Sequence, residues 1–175
     1  MRKLKLYIAV TLDGYIATKD GNIDWLLNFP NEEDTDYGYA EFLEGVDVTL
    51  MGNQTYKHVL QLADPFPYVD LTNYIFTRNA NITIAPYVHF VDGDIVKFVK
   101  DLKAKPGKDI WLIGGSQINA AMLEADLIDE MHIAQFPLTL GTGIPLFGGE
   151  QHLHHFELAH LKKYKNGVLE LRYKR

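Results

Sequence analysis

The sequence contains no cysteine, which excludes disulfide bonds, thiolate nucleophiles and zinc sites with thiolate ligands. It also lacks the run of about 20 apolar residues that a helix needs to cross a bilayer. The 17 basic residues are outnumbered by 23 acids, and the net charge of −6 opposes nucleic-acid binding, which depends on clustered cations. We therefore expect no membrane partner, no nucleic-acid partner and no metal site of the thiolate type.

The length of 175 residues suits one domain with a single core, and we expect residues 1–175 to form that domain. A hydrophobic fraction of 47% with 23% charged residues is typical of a globular protein. The opening MRKLKLYIAVTLDGYIA resembles a secretory signal, but Asp13 interrupts the apolar run and no small-residue cleavage site follows. We interpret this segment as a first strand and expect a cytoplasmic protein.

Short apolar segments alternate with amphipathic ones along the first 125 residues. The apolar segments predict strands at Leu4–Val10, Val46–Met51, Tyr74–Phe76, His89–Val91 and Ile110–Ile113. The segments between them predict helices at Tyr37–Leu43, Thr55–Leu60, Ile95–Lys103 and Gln117–Leu123. This alternation favours an α/β fold with a mostly parallel sheet covered by helices on both faces, in three layers.

The last third of the chain has a different pattern. Ile128–Phe136 predicts another strand, and the segments Phe156–Tyr164 and Val168–Tyr173 flank Asn166-Gly167. An Asn-Gly pair between two apolar runs is typical of a hairpin with a type I′ turn. An antiparallel C-terminal hairpin would make the sheet mixed.

One strand-to-helix junction, Asp109-Ile-Trp-Leu-Ile-Gly-Gly-Ser-Gln-Ile118, carries a diglycine. Glycines allow the backbone to approach an anion, and a helix that begins at Ser116 or Gln117 offers free N–H groups and the positive end of its dipole. This arrangement suits a pyrophosphate. A tight turn that only requires a positive φ explains the same residues, because the three-glycine dinucleotide motif is absent.

A second junction, Val48-Thr-Leu-Met-Gly-Asn-Gln-Thr-Tyr-Lys57, ends its strand at Gly52, and Asn53 or Thr55 could cap the helix that follows. Two such junctions place two helix starts at the carboxyl edge of one sheet, where open α/β sheets bind ligands. The pair therefore favours a dinucleotide more than either motif does alone.

These motifs, MGNQTY before LIGGSQI, resemble the dihydrofolate reductase superfamily in order and separation, as does the opening LYIAVTLDGYIA. Together with Leu127-Ile-Asp-Glu-Met131 and Pro137-Leu-Thr-Leu-Gly-Thr-Gly-Ile-Pro-Leu-Phe147, they are most similar to the reductase domain of the riboflavin-biosynthesis deaminase-reductase (the RibD C-terminal domain) in its stand-alone form. The chain lacks the zinc signature of the deaminase half. The resemblance implies a dihydrofolate-reductase-like fold and, as a further expectation, a homodimer.

The resemblance also implies bound NADPH. By position, Ala9 and Ile16 correspond to backbone sites near the nicotinamide. The other corresponding cofactor-binding positions are Gly52, Asn53, Thr55, Thr77, Arg78, Gly114, Gly115, Ser116, Gln117 and Ile118. Asn53 replaces an arginine that clamps the 2′-phosphate in the family, and an amide makes a weaker, uncharged contact. Arg78 could supply that cation from the neighbouring strand. If Arg78 is instead a solvated surface residue, the selectivity for NADPH over NADH weakens.

The substrate side is less well marked. Asp24 and Trp25 correspond to a loop over the nicotinamide, although a tryptophan packed into the core fits the sequence equally. Asp36 is the positional candidate for a carboxylate that holds the substrate ring, but acids at a helix start also suit the dipole. Gly141 and Gly143 lie either beside the substrate or in a structural turn.

The resemblance predicts a reductase that transfers hydride from NADPH to a pterin-like or pyrimidine-like molecule, the latter exemplified by 5-amino-6-(5-phosphoribosylamino)uracil. The acids after Trp25 (Glu32, Glu33 and Asp34) oppose a phosphorylated substrate. Hydride transfer requires few side chains, since the cofactor carries the chemistry, so no catalytic residue is assigned. A nucleotide-binding module without turnover is the alternative, and an interaction protein that binds no nucleotide is a third. The histidines at 152, 154 and 155 lack a compelling carboxylate spacing for a metal.

Overall fold

The computed structural model describes residues 1–78, 85–150 and 152–175. Within these ranges the chain forms ten strands: β1 (Leu4–Thr11), β2 (Tyr15–Ala17), β3 (Val46–Gly52), β4 (Thr72–Phe76), β5 (Val88–Val91), β6 (Asp109–Gly114), β7 (Glu130–Phe136), β8 (Ile144–Pro145), β9 (Glu157–Lys163) and β10 (Leu169–Lys174). The same ranges contain five helices: α1 (Asp24–Leu27), α2 (Tyr39–Glu44), α3 (Asn53–Leu62), α4 (Ile95–Lys103) and α5 (Ser116–Glu124).

Eight strands form one sheet in the order β5-β4-β3-β6-β1-β7-β10-β9. The pairs from β5 through β7 are parallel, whereas β10 pairs antiparallel with both β7 and β9. The predicted mixed and mostly parallel sheet with an antiparallel C-terminal hairpin is therefore confirmed. The small second sheet, in which β2 pairs with β8, was not predicted from the sequence.

Helices α4 and α5 cover one face of the sheet. Val99 of α4 and Met122 of α5 are fully buried and belong to the same apolar cluster as Leu6 and Leu112. The side chain of Asp94 accepts a hydrogen bond from the Lys97 amide (2.9 Å), which caps the start of α4. This face holds the largest part of the core.

The opposite face packs against α1, α2 and α3 in three smaller clusters. Tyr56 of α3 packs with Met51, and Phe42 of α2 packs with Trp111. Strand residues alternate between the two faces, so Trp111 lies on this side and its neighbour Leu112 on the other. The two faces together make the predicted three-layer arrangement.

The predicted type I′ turn between β9 and β10 is wrong. Gly167 has φ of 89° whereas Asn166 has no positive φ, and the Gly167 amide donates to the Tyr164 carbonyl (3.0 Å). The Tyr164 amide in turn donates to the Val168 carbonyl (2.9 Å), so the loop contains three residues. This is a three-residue hairpin loop with a left-handed glycine at its end. The side-chain amide of Asn166 donates to the Pro30 carbonyl (2.9 Å), a tertiary contact that helps to hold this conformation.

The start of the second helix also differs from the prediction. Tyr37 and Gly38 have φ of 54° and 85°, so neither residue is helical and α2 begins only at Tyr39. Asp36 accepts hydrogen bonds from the amides of Gly38 (3.0 Å) and Ala40 (2.7 Å). A carboxylate therefore satisfies the free donors of the turn that leads into this helix.

No helix in the described part of the chain has the length and apolar character to span a membrane.

Two leucines in strands provide a matched test of this packing. Leu112 in β6 is fully buried, whereas Leu158 in β9 is 52% exposed. We expect Leu112→Ala to lower the free energy of unfolding by about 2–5 kcal/mol, because it removes apolar contacts and leaves a cavity. Leu158→Ala should cost less than about 0.5 kcal/mol. Urea unfolding followed by circular dichroism measures both, and equal losses would contradict the assigned faces.

Candidate functional site

A cavity of about 1270 Å³ opens at the carboxyl edge of the parallel strands and continues along the face that carries α1, α2 and α3. Its lining includes Ala9 of β1, Gly52 at the end of β3, Phe76 at the end of β4 and Ile113 of β6. Ligands of open α/β sheets bind at this edge, because the strand-to-helix turns converge there.

The two glycine junctions meet in this cavity. The amide of Gly115, just before α5, donates to the hydroxyl of Thr55 in the first turn of α3 (3.2 Å). A Cβ at Gly52 would lie in van der Waals contact with the side chain of Ile118, at 3.4 Å, so the two junctions are direct neighbours. The tertiary structure thus places both helix starts at one position, as the ordered motifs predict.

Neither helix start is capped by the residue before it. Gly52 and Gly115 have no side chain that could accept a hydrogen bond. The first backbone hydrogen bond of α5 runs from the Asn119 amide to the Gly115 carbonyl (2.9 Å). The amides of Ser116, Gln117 and Ile118 therefore have no partner inside the helix, nor do the first three of α3. Amides without a partner inside their own helix, at two adjacent helix starts, form an anion-binding surface.

A loop after β7 closes over this surface. The Ser116 hydroxyl donates to the Pro145 carbonyl (2.6 Å), and the Asn119 amide group donates to the Leu146 carbonyl (3.0 Å). The Gly148 amide donates to the Ser116 carbonyl (3.1 Å). The same loop holds Gly143, where a Cβ would lie 2.3 Å from the Ala17 carbonyl oxygen, so only glycine permits the close approach of β8 to β2.

The charged side chains in the described lining of the cavity are those of Lys19, Arg78 and Asp36. Arg78 lies just beyond the end of β4 at the cavity edge, whereas Lys19 follows β2 and Asp36 precedes α2. Arg78 is exposed and forms no ion pair with a described residue. The charge at the edge therefore suits an anionic ligand.

Most of the residues predicted for the site line this cavity. They are Ala9, Ile16, Gly52, Asn53, Thr55, Thr77, Arg78, Gly115, Ser116, Gln117 and Ile118 on the cofactor side, with Asp36 and Gly143 on the substrate side. Asp24, Trp25, Gly114 and Gly141 lie outside the lining.

Each of these four residues outside the lining has a structural role elsewhere, in core packing, in a local hydrogen bond or in a turn. The Trp25 ring packs edge-on against Phe136 with centroids 5.4 Å apart, so core packing explains this tryptophan. Asp24 is exposed and accepts a hydrogen bond from the Asn22 side chain (2.8 Å). Gly114 has φ of 111°, and the Gly141 amide donates to Asp13 (2.7 Å), so both have structural roles in turns.

Sequence reasoning missed a group of tyrosines on the face side of the cavity, namely Tyr7, Tyr37, Tyr39 and Tyr68. One signal was available for Tyr7, because it precedes Ala9 by two residues and thus shares its face of β1. The other three come from segments whose packing no short pattern reveals.

Burial disfavours the ionised form of three of these tyrosines, Tyr7, Tyr39 and Tyr68. Desolvation raises the pKa of Tyr7 and Tyr39 well above the usual range, and it raises the pKa of Tyr68 as well. The Tyr7 hydroxyl donates to the Tyr37 carbonyl (3.1 Å), so it holds the turn before α2. Two backbone amides, above all that of Ala40, lower the pKa of the Asp36 carboxyl, which is therefore an anion at neutral pH.

The sequence was compared with protein-family models and with known proteins. The family model of the RibD C-terminal domain matches residues 2–169. The uncharacterized protein YwjB of Bacillus subtilis (strain 168) is 43% identical over 146 residues, which are 83% of this chain and 83% of that protein.

Two solved structures show the same fold. The "putative riboflavin biosynthesis protein" of Shewanella sp. PV-4 is 34% identical, with a TM-score of 0.87 over 99% of this chain and 98% of that one. A dihydrofolate reductase of Enterococcus faecalis, complexed with NADP(H) and RAB-propyl, is 16% identical. It has a TM-score of 0.69 over 99% of this chain and 96% of that one, a likeness of fold alone.

The raised tyrosine pKa values predict an unusual alkaline titration. Free tyrosines ionise near pH 10, so we expect absorbance at 295 nm to show part of the ten tyrosines titrating well above that pH. Because the folded-state pKa lies above the unfolded one, these phenols favour folding below about pH 10 and lose that contribution as the pH rises further. In guanidinium all ten should titrate together, and the same single transition in the folded protein would contradict the burial.

Proposed function

Because the chain belongs to the RibD C-terminal domain family, we propose that it is an NADPH-dependent reductase of a pterin-like or pyrimidine-like small molecule. The observation that carries this proposal is the contact between the two glycine junctions, where the Gly115 amide donates to Thr55 (3.2 Å). One diphosphate at this point would reach the starts of both α3 and α5. A single helix start would not distinguish a dinucleotide from any other anion.

The residues present fit such a cofactor. The amides of Ser116, Gln117 and Ile118 and those of Asn53 and Gln54 would hold the pyrophosphate, since none has a partner inside its helix. The absence of side chains at Gly52 and Gly115 allows the phosphates to approach the backbone. The positive ends of the two helix dipoles favour the two negative charges.

The 2′-phosphate that distinguishes NADPH from NADH would lie near the end of β4. Thr77 and Arg78 line the cavity there, and Arg78 is exposed and pairs with no described acid. A guanidinium that no other group neutralises forms a strong charge-assisted bond to a phosphate. Asn53, also in the lining, would add a neutral hydrogen bond.

The nicotinamide ring would lie against β1 and β2. Ala9 and Ile16 line the cavity there, and Phe136 of β7 adds an aromatic surface. When bound, the cofactor supplies the hydride. The protein positions the two reactants and excludes water with an apolar wall, and these roles require no acid or base at a fixed atom.

Arg78 gives a direct test of cofactor choice. We expect Arg78→Gln to weaken NADPH binding by about tenfold or more, because a hydrogen bond to a charged group contributes on the order of 1.5–3 kcal/mol. NADH binding should stay unchanged, since NADH lacks the 2′-phosphate. Lys105→Gln removes an exposed cation outside the cavity and serves as the charge-matched control. Fluorescence titration measures all four affinities, and an equal loss for both nucleotides would contradict the assigned role.

Turnover separates the reductase from its alternative. We expect the purified protein to oxidise NADPH, followed at 340 nm, with at least one member of a panel that contains dihydrofolate, 5-amino-6-(5-phosphoribosylamino)uracil and its unphosphorylated riboside. Tight NADPH binding without oxidation by any of them would favour a binding module that has lost turnover. Absence of NADPH binding would overturn both.

A further inference from the structure

The hairpin loop between β9 and β10 contains the one asparagine of the sequence that is followed by glycine, Asn166. Every other asparagine precedes a residue that has a side chain. The backbone nitrogen that follows an asparagine can attack the carbonyl carbon of the asparagine side chain, and a side chain on the attacking residue hinders this approach. Since glycine has no side chain, the reaction meets the least steric resistance at Asn166-Gly167.

The conformation of the loop brings the two reacting groups into one turn. The side-chain oxygen of Asn166 accepts a hydrogen bond from the Val168 amide (3.2 Å), which makes an Asx turn. Such a turn folds the side chain back along the peptide bond to Gly167, whose nitrogen is the attacking atom. Asn166 is half-buried and the neighbouring Lys165 is exposed, so solvent reaches the loop.

Hydrogen bonds hold both reacting groups while the loop is closed. The side-chain nitrogen of Asn166, which would leave, donates to the Pro30 carbonyl (2.9 Å) and to the Tyr37 hydroxyl (2.7 Å). The Gly167 amide, which would attack, donates to the Tyr164 carbonyl (3.0 Å). The reaction therefore requires these bonds to open, and local opening of one loop costs less free energy than unfolding of the whole chain.

Asn166 also connects the hairpin to the wall of the cavity. Tyr37, which accepts its hydrogen bond, lines the cavity and has φ of 54°, a left-handed conformation that is unfavourable for a residue with a side chain. Tertiary contacts must hold such a residue in place. The Tyr37 ring packs edge-on against Phe136 and Tyr164, with centroids 5.5 and 5.0 Å apart, and the bond from Asn166 holds its hydroxyl.

We propose that Asn166 is a deamidation site of this protein and that its conversion weakens the attachment of the hairpin to the turn that carries Tyr37. The Gly167 nitrogen gives up its proton to the solvent and forms a bond to the side-chain carbonyl carbon of Asn166. The bond from that carbon to the side-chain nitrogen breaks, and ammonia leaves. Water then opens the cyclic imide at either carbonyl and gives aspartate or isoaspartate. The net change is the exchange of ammonia for water, without oxidant or reductant.

The product lacks the hydrogen-bond donors of the amide. A carboxylate has no N–H group, so it cannot donate to the Pro30 carbonyl and meets that oxygen as an anion. The new charge also lies near Glu33, which pairs with Lys165 (2.5 Å). The Tyr37 hydroxyl can donate to an aspartate at this position. Isoaspartate, however, lengthens the backbone of a short loop by a methylene group and displaces the carboxylate.

The proposal does not depend on the proposed reductase function, because its tests require neither cofactor nor turnover. Failure of one proposal therefore leaves the other in place.

Peptide mapping by mass spectrometry tests the site after incubation of the purified protein at mildly alkaline pH. Asn22 is the matched control, since its side chain also forms an Asx turn, with the Asp24 amide (2.6 Å), and is more exposed. We expect Asn166 to convert about tenfold faster than Asn22 or more, because Gly167 leaves the carbonyl carbon open whereas the β-branched Ile23 hinders the attack.

Two further samples make this result decisive. Asn166→Gln should show no conversion, because the longer side chain would have to close a larger and less favourable ring. The chain unfolded in guanidinium shows that the conditions support the reaction. Conversion of Asn166 there but not in the folded protein, or equal rates at Asn166 and Asn22 in the folded protein, would overturn the proposed site.

Hydrogen exchange tests the consequence for the cavity wall. In Asn166→Asp and in the aged protein we expect the amides of residues 36–40 to exchange about fivefold faster or more, since one contact that holds this turn is lost. The melting temperature of Asn166→Asp should fall by about 2–4 °C. Asn22→Asp makes the same change of charge and should leave exchange at residues 36–40 unchanged. If Asn166→Asp does not fold, the aged protein gives the result. Unchanged exchange at residues 36–40 after conversion would overturn the proposed link to Tyr37.

Discussion

The hydrogen bond between the Gly115 amide and the Thr55 hydroxyl fixes the geometry on which the rest of the site depends. It joins the turn after β6 to the first turn of α3, two segments 60 residues apart in the chain. The parallel pairing of β3 with β6 makes this contact possible, since both strands end at the same edge of the sheet. The loop at residues 143–149 then packs on α5 through Ser116 and Asn119 and completes the enclosure.

The cavity combines two environments of opposite charge preference. At the edge, helix dipoles and the Arg78 guanidinium favour an anion. On the sheet face, tyrosines and the Asp36 carboxylate line the cavity, and a carboxylate favours hydrogen-bond donors.

The C-terminal hairpin supports the turn before α2, although none of its residues is in the described lining of the cavity. Glu170 is buried, accepts a hydrogen bond from the Tyr164 hydroxyl (2.7 Å) and pairs with Arg172 (2.7 Å). A Cβ at Gly38 would lie 3.1 Å from the Glu170 carboxylate, so the turn that carries Asp36 and Tyr37 rests directly on this pair. The antiparallel strands thus connect the last residues of the chain to the tyrosine side of the cavity.

The sequence alone predicted the mixed sheet and both strand-to-helix junctions, from apolar runs and from glycines near strand ends. Both signals are local, because each depends only on residues close together in the chain. The family resemblance supplied the predicted cofactor positions, and all of them except Gly114 line the cavity. The sequence left open whether Trp25 packs into the core or covers the nicotinamide, and its contact with Phe136 decides this. The conformation of Asn166 likewise depends on Pro30, a partner far away in sequence. The four tyrosines of the cavity, Tyr7, Tyr37, Tyr39 and Tyr68, likewise become neighbours only in the tertiary structure, since they come from β1, from α2 and the turn before it, and from the segment after α3. Local patterns determine elements and their order, whereas the meeting of side chains from separate elements is decided only by packing.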